Sequence, residues 1–377
     1  MRQLHSTITP AVVHQHARHV LEGVLEWKPF GKVVSVADLL DLLLMMAAST
    51  ASLFAIVERF FRFSHESASR AVKANLPDSD QLVQGLLRAL YDTAQFSRQD
   101  RHRRWLLAID THYKAYYGKP TRFVVGGPRK QGTKWFFGYA TAVLLHKGRR
   151  YTVALCPLAP KTKPHEIVRT LLEQIAAKGL KIQGVVLDSG FDSGETFLLL
   201  QQQDLAYTVP LRRKGNNTRN PRNRLFEGRH KQVRWAQWNV KDTRRQVRTR
   251  TVLWKGGPRT MLFAFQGWSD TKAHNVHQQA AQQKRLYQRR FGIETSYRQK
   301  NQAEAKTTSR DPVYRLLLEG LGYLIRQIWV VLTEQIGRAH ARDRNPWIGE
   351  LPLGRLADWL CQELARLHPE ELSIKLT

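Results

Sequence analysis

Three acidic residues stand where two strands and a helix could bring their carboxylates together. Asp110 ends the apolar run 105–110, and Asp188 ends a second apolar run, 184–188. Glu294 lies in a long polar segment that predicts a helix. Carboxylates from two strand ends and one helix can hold two divalent ions, which activate a nucleophile and stabilise the leaving oxygen at a phosphodiester. The pattern therefore predicts metal-dependent phosphodiester chemistry.

The helix around Glu294 carries polar groups at regular spacing. Tyr287, Arg290, Glu294 and Arg298 follow one another at steps of three, four and four, so they share one helical face. Arginine binds phosphate through two parallel hydrogen bonds. The face is therefore suited to gripping a phosphate beside a metal ion, and a solvated charged face is the alternative.

Other acids compete for these roles. Asp192 is a rival of Asp188, but it falls in the turn before Ser193, where a turn or capping role is expected. Glu304 and Asp311 are alternatives for the third acid; Asp311 precedes a proline and indicates an element boundary.

The charge of the chain indicates its partner. Its 377 residues include 60 Lys and Arg against 31 Asp and Glu, a net charge of +29. Such an excess is typical of proteins that bind nucleic acid and argues against an enzyme of small metabolites. A generally basic, ribosome-associated protein is the alternative. Two distant cysteines, Cys156 and Cys361, predict neither a disulfide framework nor a zinc cluster.

The first 100 residues predict helices. Apolar side chains recur at helical spacing in 36–44 and 53–61, and Ser64 is a candidate cap for the helix that follows it. We predict a helical DNA-binding domain at 1–100. A helix-turn-helix reader and a bundle that only supports the core both remain open. The first residues are not typical of a signal peptide, and the apolar stretches 42–57 and 316–336 predict buried helices rather than membrane spans.

Strand-like and helix-like runs alternate from Trp105. Their order is three strands, a helix, a strand, a helix and a strand: 105–110, 135–146, 150–158, 165–177, 185–188, 193–203 and 206–211. This is the order of the ribonuclease H-like fold, in which the strands that carry Asp110 and Asp188 pair. The predicted fold class is α/β, with this core in two parts, 101–211 and 269–311.

The most basic segment separates the two parts of the core. We predict that residues 212–268 form a strand-rich insertion whose cations follow DNA phosphates and whose tryptophans stack on bases. A flexible basic loop is the alternative. The candidate DNA-binding residues are Arg212, Arg213, Lys214, Trp235, Trp238, Arg244, Arg245, Trp254 and Trp268. Residues 312–377 predict a C-terminal helical region, a candidate dimerisation surface.

Three motifs in this order resemble the bacterial insertion-sequence DDE transposases with a Tyr-Arg-Glu-Lys signature. They are Ile109-Asp110-Thr111, Leu187-Asp188-Ser189-Gly190-Phe191 and Tyr287-x-x-Arg290-x-x-x-Glu294. The resemblance covers residues 105–300. It implies a ribonuclease H-like core in which Asp110, Asp188 and Glu294 bind two Mg²⁺ ions, for which Mn²⁺ substitutes.

The resemblance also implies cut-and-paste transposition through hairpin DNA ends, with Tyr287 and Arg290 on the phosphate at the cleaved end. The signature lysine would fall at Asn301, so Lys300 and Arg298 are the alternatives for its role. In the family an insertion-domain tryptophan can hold a flipped base, which gives that role to one of the four tryptophans named above.

The expected partners are double-stranded DNA, both inverted-repeat ends and target, and a second copy of the chain in a synaptic homodimer; no membrane is expected. The expected location is the cytoplasm of a bacterium or archaeon, at the nucleoid. Two other functions remain open, a stand-alone metal-dependent DNA nuclease and a domesticated DNA-binding protein that no longer cuts.

Overall fold

The computed structural model describes residues 7–121, 123–146, 149–215, 219–240, 243–255, 260–268, 276–339 and 351–369. The helices are α1 Pro10–Glu22, α2 Val36–Ala48, α3 Leu53–Phe60, α4 His65–Ala74, α5 Ser79–Ala94, α6 Arg98–His102, α7 Pro164–Ala176, α8 Gly194–Gln202, α9 Pro221–Arg224, α10 Val276–Lys300, α11 Pro312–Ala339 and α12 Leu353–Leu367. The strands are β1 Arg104–Tyr116, β2 Val125–Lys130, β3 Thr133–His146, β4 Arg149–Pro157, β5 Lys181–Leu187, β6 Ala206–Leu211, β7 Val233–Asn239, β8 Gln246–Trp254 and β9 Met261–Gln266.

The chain forms two compact units. The helical unit comprises Met1–Phe96 and Ser296–Thr377, and the sheet unit comprises Ser97–Thr295. The roles predicted for the separate sequence domains, end binding and dimerisation among them, stay predictions.

Side-chain caps set the helix starts in the helical unit. Ser64 accepts a hydrogen bond from the backbone N–H of Ser67, which confirms the predicted cap of α4. Ser35 and Asp38 form a capping box at α2, and Asp78 caps α5. Helices α3 and α4 are joined by residues 61–64, and Arg70 and Lys73 of α4 are exposed. This arrangement suits both the helix-turn-helix reader and the supporting bundle.

Helix α11 is the core helix of the helical unit. Among the described residues it alone is long and apolar enough to cross a membrane, but 94% of its most apolar 18-residue window is buried inside the protein. The interruptions at Glu319 and Arg326 are buried too, and each has a polar partner in the same unit. The burial agrees with the predicted core helix.

A nine-stranded sheet organises the other unit. Its order is β2-β3-β1-β5-β6-β9-β8-β7, with β4 also paired to β3. Strand β1 runs parallel to β5, with Ile109 opposite Leu187, so the predicted pairing of these two strands is confirmed. The predicted α/β class, with helices before and after a mixed sheet, is confirmed as well.

The insertion strands extend the core sheet. Strand β9 pairs antiparallel with β6, and β8 and β7 follow outward. Without β9, the edge of β6 would present unpaired backbone groups, so the insertion completes the sheet while it displays its own side chains.

Strands β1 and β2 differ most from the prediction. Strand β1 continues six residues past Asp110, because its outer half pairs with β3 as far as Trp135. Strand β2 was not predicted, since Gly126, Gly127 and Pro128 disfavour strands; its pairing with β3 at the sheet edge tolerates them. Helix α10 begins at Val276 in the described chain, and residues 269–275 of the predicted second core part lie outside the described residues.

Candidate active site

Asp110 lies inside the sheet, where β1 passes the end of β5. Its side chain is 11% exposed. One carboxylate oxygen accepts a hydrogen bond from the Thr111 backbone N–H at 2.8 Å, and the other accepts one from Arg290 at 2.9 Å. The carboxylate is therefore fixed in position by the strand on one side and by α10 on the other.

Asp188 follows the last residue of β5, at the same edge of the sheet as Asp110. It caps the short 3₁₀ turn 189–191, because its carboxylate accepts a hydrogen bond from the Gly190 backbone N–H. A Cβ atom at position 190 would lie 2.7 Å from the nearer Asp188 oxygen. A side chain at position 190 would thus displace the Asp188 carboxylate. Gly190 is part of the sequence motif, but the sequence alone did not indicate this role.

Helix α10 brings the third acid to the sheet. Arg290 is 5% exposed, and its guanidinium also donates to Glu294 at 2.6 Å. The aromatic ring of Tyr287 packs against Phe263 of β9, with ring centroids 5.3 Å apart, and the Arg290 guanidinium lies over it. Arg290 therefore joins two of the predicted acids directly.

The electrostatics of Asp110 reflect this crowding. Burial raises the pKa of its carboxyl to about 7; the nearby Arg290 opposes that rise, and the Asp188 and Glu294 carboxylates add to it. Three like charges near one buried site cost free energy unless a cation compensates them. In this structure Arg290 supplies part of that compensation.

The donor chemistry at this edge suits a divalent ion. Carboxylate oxygens are the ligands that Mg²⁺ prefers in proteins, and the Asp188 and Glu294 carboxylates lie close enough to Asp110 to add to the rise of its pKa. Across the described ranges, no three or more His, Cys, Asp or Glu side chains already form a metal-ligand group. Arg290 donates to one oxygen of Asp110 and one of Glu294, so an ion at these carboxylates would compete with Arg290 for them.

Asp192, the rival of Asp188, has structural partners. One carboxylate oxygen accepts from the backbone N–H of Arg212 at 2.8 Å, and the other pairs with the Arg222 guanidinium. Arg222 in turn lies over the ring of Trp238, 5.0 Å from its centroid. Asp192 thus ties the end of β6 to the insertion, and the helix cap falls to Ser193.

The predicted cations of the insertion lie on its surface. Arg212, Arg213, Lys214, Arg244 and Arg245 are all exposed. Arg212 also donates from its guanidinium Nε to Ser189, next to Asp188, at 2.8 Å. This contact places one insertion cation beside the acidic edge of the sheet.

The four candidate tryptophans have different surroundings. Trp235 is 57% exposed, with Arg248 over its ring at 4.7 Å, and it borders a groove of about 660 Å³ that Trp238 also lines. The Trp254 ring is half-buried under Lys284. Trp268 is buried, and its indole N–H donates to the Tyr207 carbonyl at 2.8 Å. Trp268 is therefore a core residue, and the expected base contact has to be corrected at this position.

Lys300 also departs from its expected role. It is fully buried in the helical unit, and its ammonium donates to both Glu319 oxygens at 2.9 Å and to Glu304 at 3.2 Å. Burial lowers the pKa of this ammonium, but the two carboxylates raise it more. These partners use the ammonium protons that a phosphate would need, so Arg298, which is exposed, is the better candidate for the signature lysine's role.

The alternative third acids are engaged as well. Glu304 pairs with Lys300, and Asp311 accepts hydrogen bonds from the backbone N–H groups of Val313 and Tyr314, which caps α11. Of the three candidates for the third acid, Glu294 is the one with a direct partner that also binds Asp110.

Comparison with known proteins gives the family of the chain and a solved structure of similar fold. The sequence matches the family model described as "Transposase DDE domain" over residues 111–310, a span that begins one residue after Asp110. No curated protein matches the chain. Among solved structures, the cryo-EM structure of a piggyBac transposase synaptic complex with hairpin DNA superposes with a TM-score of 0.58 at 12% identity, covering 100% of this chain and 84% of that chain. At this identity the likeness concerns the fold alone.

Proposed function

Because the chain belongs to the transposases with a DDE domain, we propose that it cuts the ends of an insertion sequence and joins them to target DNA, with Asp110, Asp188 and Glu294 as its catalytic acids. One observation carries the assignment of residues. Asp110 lies on β1 beside the end of the adjacent parallel strand β5, Asp188 follows that end, and the helix that bears Glu294 reaches Asp110 through Arg290.

Asp110, Asp188 and Glu294 would hold Mg²⁺, two ions to a site, or Mn²⁺ in its place. A divalent ion bound there supplies Lewis acidity and positive charge at the phosphodiester. The protein's part is to hold the carboxylates in fixed positions. The Thr111 and Gly190 backbone N–H groups do this for the two aspartates.

Arg290 and Tyr287 are proposed to bind the phosphate at the cut end. The Arg290 Nε is a buried donor without an acceptor among the described residues. Once its charge is no longer needed by Asp110 and Glu294, the guanidinium can donate two parallel hydrogen bonds to a phosphate. Arg298 is proposed to add a further phosphate contact.

The proposed reaction is a series of in-line displacements at phosphorus. Water attacks the phosphodiester at the element end, the P–O3′ bond breaks, and the 3′-oxygen leaves with a proton. That 3′-hydroxyl attacks the opposite strand and forms a hairpin, which water reopens. The same hydroxyl then attacks a target phosphodiester. Every step exchanges one P–O bond for another, so positioning and charge stabilisation are what the protein must supply.

The hairpin route and the pairing of two ends are finer parts of this proposal. The superposed piggyBac structure is described as a synaptic complex with hairpin DNA, which supports both for that protein. For this chain we propose a homodimer that joins two element ends, with the C-terminal helices as a candidate interface. A cellular site at the nucleoid of a bacterium or archaeon completes the proposal.

The insertion is proposed to hold the element end. Its exposed cations would follow phosphates, and Trp235 is the candidate for stacking on a flipped base. Of the four tryptophans it has the most exposed ring, and it borders an open groove. Stacking needs an accessible ring face, which the buried Trp268 lacks.

The decisive experiment is cleavage of duplex DNA that carries the gene's own flanks, with Mg²⁺ or Mn²⁺. Asp110→Asn, Asp188→Asn and Glu294→Gln are compared with wild type and with Asp204→Asn. Asp204 is an exposed turn residue of the same unit with a left-handed φ of 49°, which asparagine tolerates. DNA binding and thermal melting are measured for each protein.

We expect metal-dependent cuts at both flanks, hairpin ends on a denaturing gel, and loss of cleavage in the three site variants but not in Asp204→Asn. Retained cleavage by Asp188→Asn would refute the assignment of the three catalytic acids. Cutting without end preference would favour the stand-alone nuclease, and tight binding without cutting would favour the domesticated binder.

A further inference from the structure

A second cationic surface lies on the far side of the acids from the insertion. The outer half of β1, strand β2 and the first residues of β3 form a three-stranded edge, residues 111–121 and 123–137, which we name the basic ribbon. Nothing in the proposed function so far uses it.

The charge of this region is one-sided. Residues 111–165 contain no Asp or Glu and eleven Lys and Arg. Four of those cations lie on the basic ribbon with exposed side chains: Lys119, Arg129, Lys130 and Lys134. Cations concentrated without intervening acids make a positive surface potential that attracts a polyanion.

Aromatic rings accompany the cations. Tyr113 is 47% exposed and Tyr117 is 72% exposed. The Lys134 ammonium lies 5.2 Å from the ring centroid of Trp135. Lysine and proline alone can protect an edge strand from aggregation. Protection of the edge therefore does not explain why large aromatic rings are exposed beside these cations, whereas contact with a ligand does.

The basic ribbon is held in a defined shape. Lys130 pairs with Thr133 across the two residues Gln131 and Gly132, whose φ values of 50° and 80° make a tight hairpin turn. The Tyr117 hydroxyl donates to the Gln131 carbonyl at 2.8 Å, and the Thr133 hydroxyl donates to the Tyr116 carbonyl at 2.7 Å. A ligand would therefore meet a pre-formed surface, with little ordering cost.

The sheet places the basic ribbon next to the acids. Asp110 and Tyr116 lie on one strand, six residues apart, which is about 20 Å at the rise of a β-strand. In the sheet order β3 and β2 lie on one side of β1 and β5, and the insertion strands lie on the other. The acids thus stand between two cationic surfaces of one unit.

We propose that the basic ribbon binds the backbone of the target duplex, while the insertion holds the element end. This inference rests on the proposed function, in which the joining step needs two separate duplexes at one set of acids. Lysine, arginine and tyrosine side chains on a flat edge contact phosphate and sugar rather than base edges. The target would therefore be bound with little sequence preference.

The test separates joining from cutting. Arg129→Gln/Lys130→Gln/Lys134→Gln is compared with Arg104→Gln/Arg169→Gln/Lys181→Gln, which removes the same charge elsewhere in the unit. All three control side chains are exposed, and Arg104 and Lys181 pair at the opposite end of β1 and β5. Three assays are run: cleavage of element ends, joining of pre-cut ends to a plasmid, and the salt dependence of binding to a duplex of unrelated sequence. Thermal melting checks folding.

For the ribbon variant we expect end cleavage within about twofold of the control and joining reduced at least tenfold. The slope of log affinity against log salt should fall by about 2–3, since each lost phosphate contact removes about 0.9. Joining equal to that of the control overturns the proposal. Equal losses of cleavage and joining would place the element end on the basic ribbon and overturn the assignment to target. If wild type neither cuts nor joins, the proposed function fails, and the salt dependence alone then tests the basic ribbon. A salt slope of the ribbon variant equal to that of wild type would refute the basic ribbon as a DNA-binding surface, and a reduced slope would support it.

Discussion

The buried ammonium of Lys300 allows a quantitative test of its structural role. In Lys300→Met, the Glu319 carboxylate, 4% exposed, loses the ammonium partner that binds both of its oxygens at 2.9 Å. Breaking a buried ion pair from one side costs about 3–5 kcal/mol, because the remaining charge stays desolvated. Glu304 is half-buried and can turn to solvent, so it adds little to this cost.

The double variant Lys300→Met/Glu319→Leu removes both charges. Replacing a buried pair by apolar side chains is often neutral or stabilising, so we expect its unfolding free energy within about 1 kcal/mol of wild type or above it. Urea unfolding of wild type, both single variants and the double variant gives the coupling energy. Cleavage of element-end DNA is measured on the same proteins.

We expect the double variant to recover both stability and cleavage. A double variant no more stable than Lys300→Met would refute the ion-pair argument. A double variant that is stable but cannot cleave would show that Lys300 serves DNA after all, and would restore it as the counterpart of the signature lysine.

Three further predictions concern the acids, the insertion and the helical unit. Gly190→Ala should slow cleavage ten- to a hundredfold with unchanged melting, because its Cβ displaces the Asp188 carboxylate; equal cleavage by this variant and by Gly23→Ala, whose Cβ has ordinary contacts, would contradict it. Trp235→Ala should weaken binding to element ends by about 1–3 kcal/mol, while Trp235→Phe, which keeps an aromatic ring, should not; equal binding curves for Trp235→Ala and wild type would exclude the stacking role. Burial raises the pKa of Asp41, but hydrogen bonds from His14 and His368 and the charge of Arg18 lower it to about 2. Asp41→Asn should therefore lower the free energy of unfolding by about 2 kcal/mol at pH 7. This difference from wild type is present above pH 3.8 and fades as the pH falls through 2. Urea unfolding at several pH values checks this, and a difference independent of pH would refute it.

Most elements of the sheet unit could be predicted because their signals are local. Apolar runs of strand length, separated by Gly, Pro and Ser, placed β3, β4, β5 and β6 within a few residues and located the start of β1, and Ser64 was recognised as a cap. Strand β2 was missed because its Gly-Gly-Pro composition carries no local preference for a strand. Only its pairing with β3, a long-range contact, makes it one.

The candidate acids were also accessible from the sequence. A carboxylate directly after an apolar strand marks the edge of a parallel sheet, and the shared helical face of Tyr287, Arg290 and Glu294 follows from the period of a helix alone. These arguments use spacing along the chain, so they hold before any tertiary contact is known. What they provide is the identity and relative order of the groups.

Only the tertiary structure decided which side chains pair with one another and which are exposed to solvent. The sequence by itself determined a basic α/β chain with two aspartates that close apolar runs and a helix that carries a glutamate. It could not separate Trp235, which is exposed, from Trp268, which is buried against β6. Nor could it assign the Lys300 ammonium to Glu319. It could not place Arg290 between Asp110 and Glu294 either, because Arg290 and its hydrogen-bond partner Asp110 are 180 positions apart in the chain. The physical reason is that desolvation and charge pairing depend on which distant side chains fill the space around a group, and that space exists only once the sheet and helices have packed.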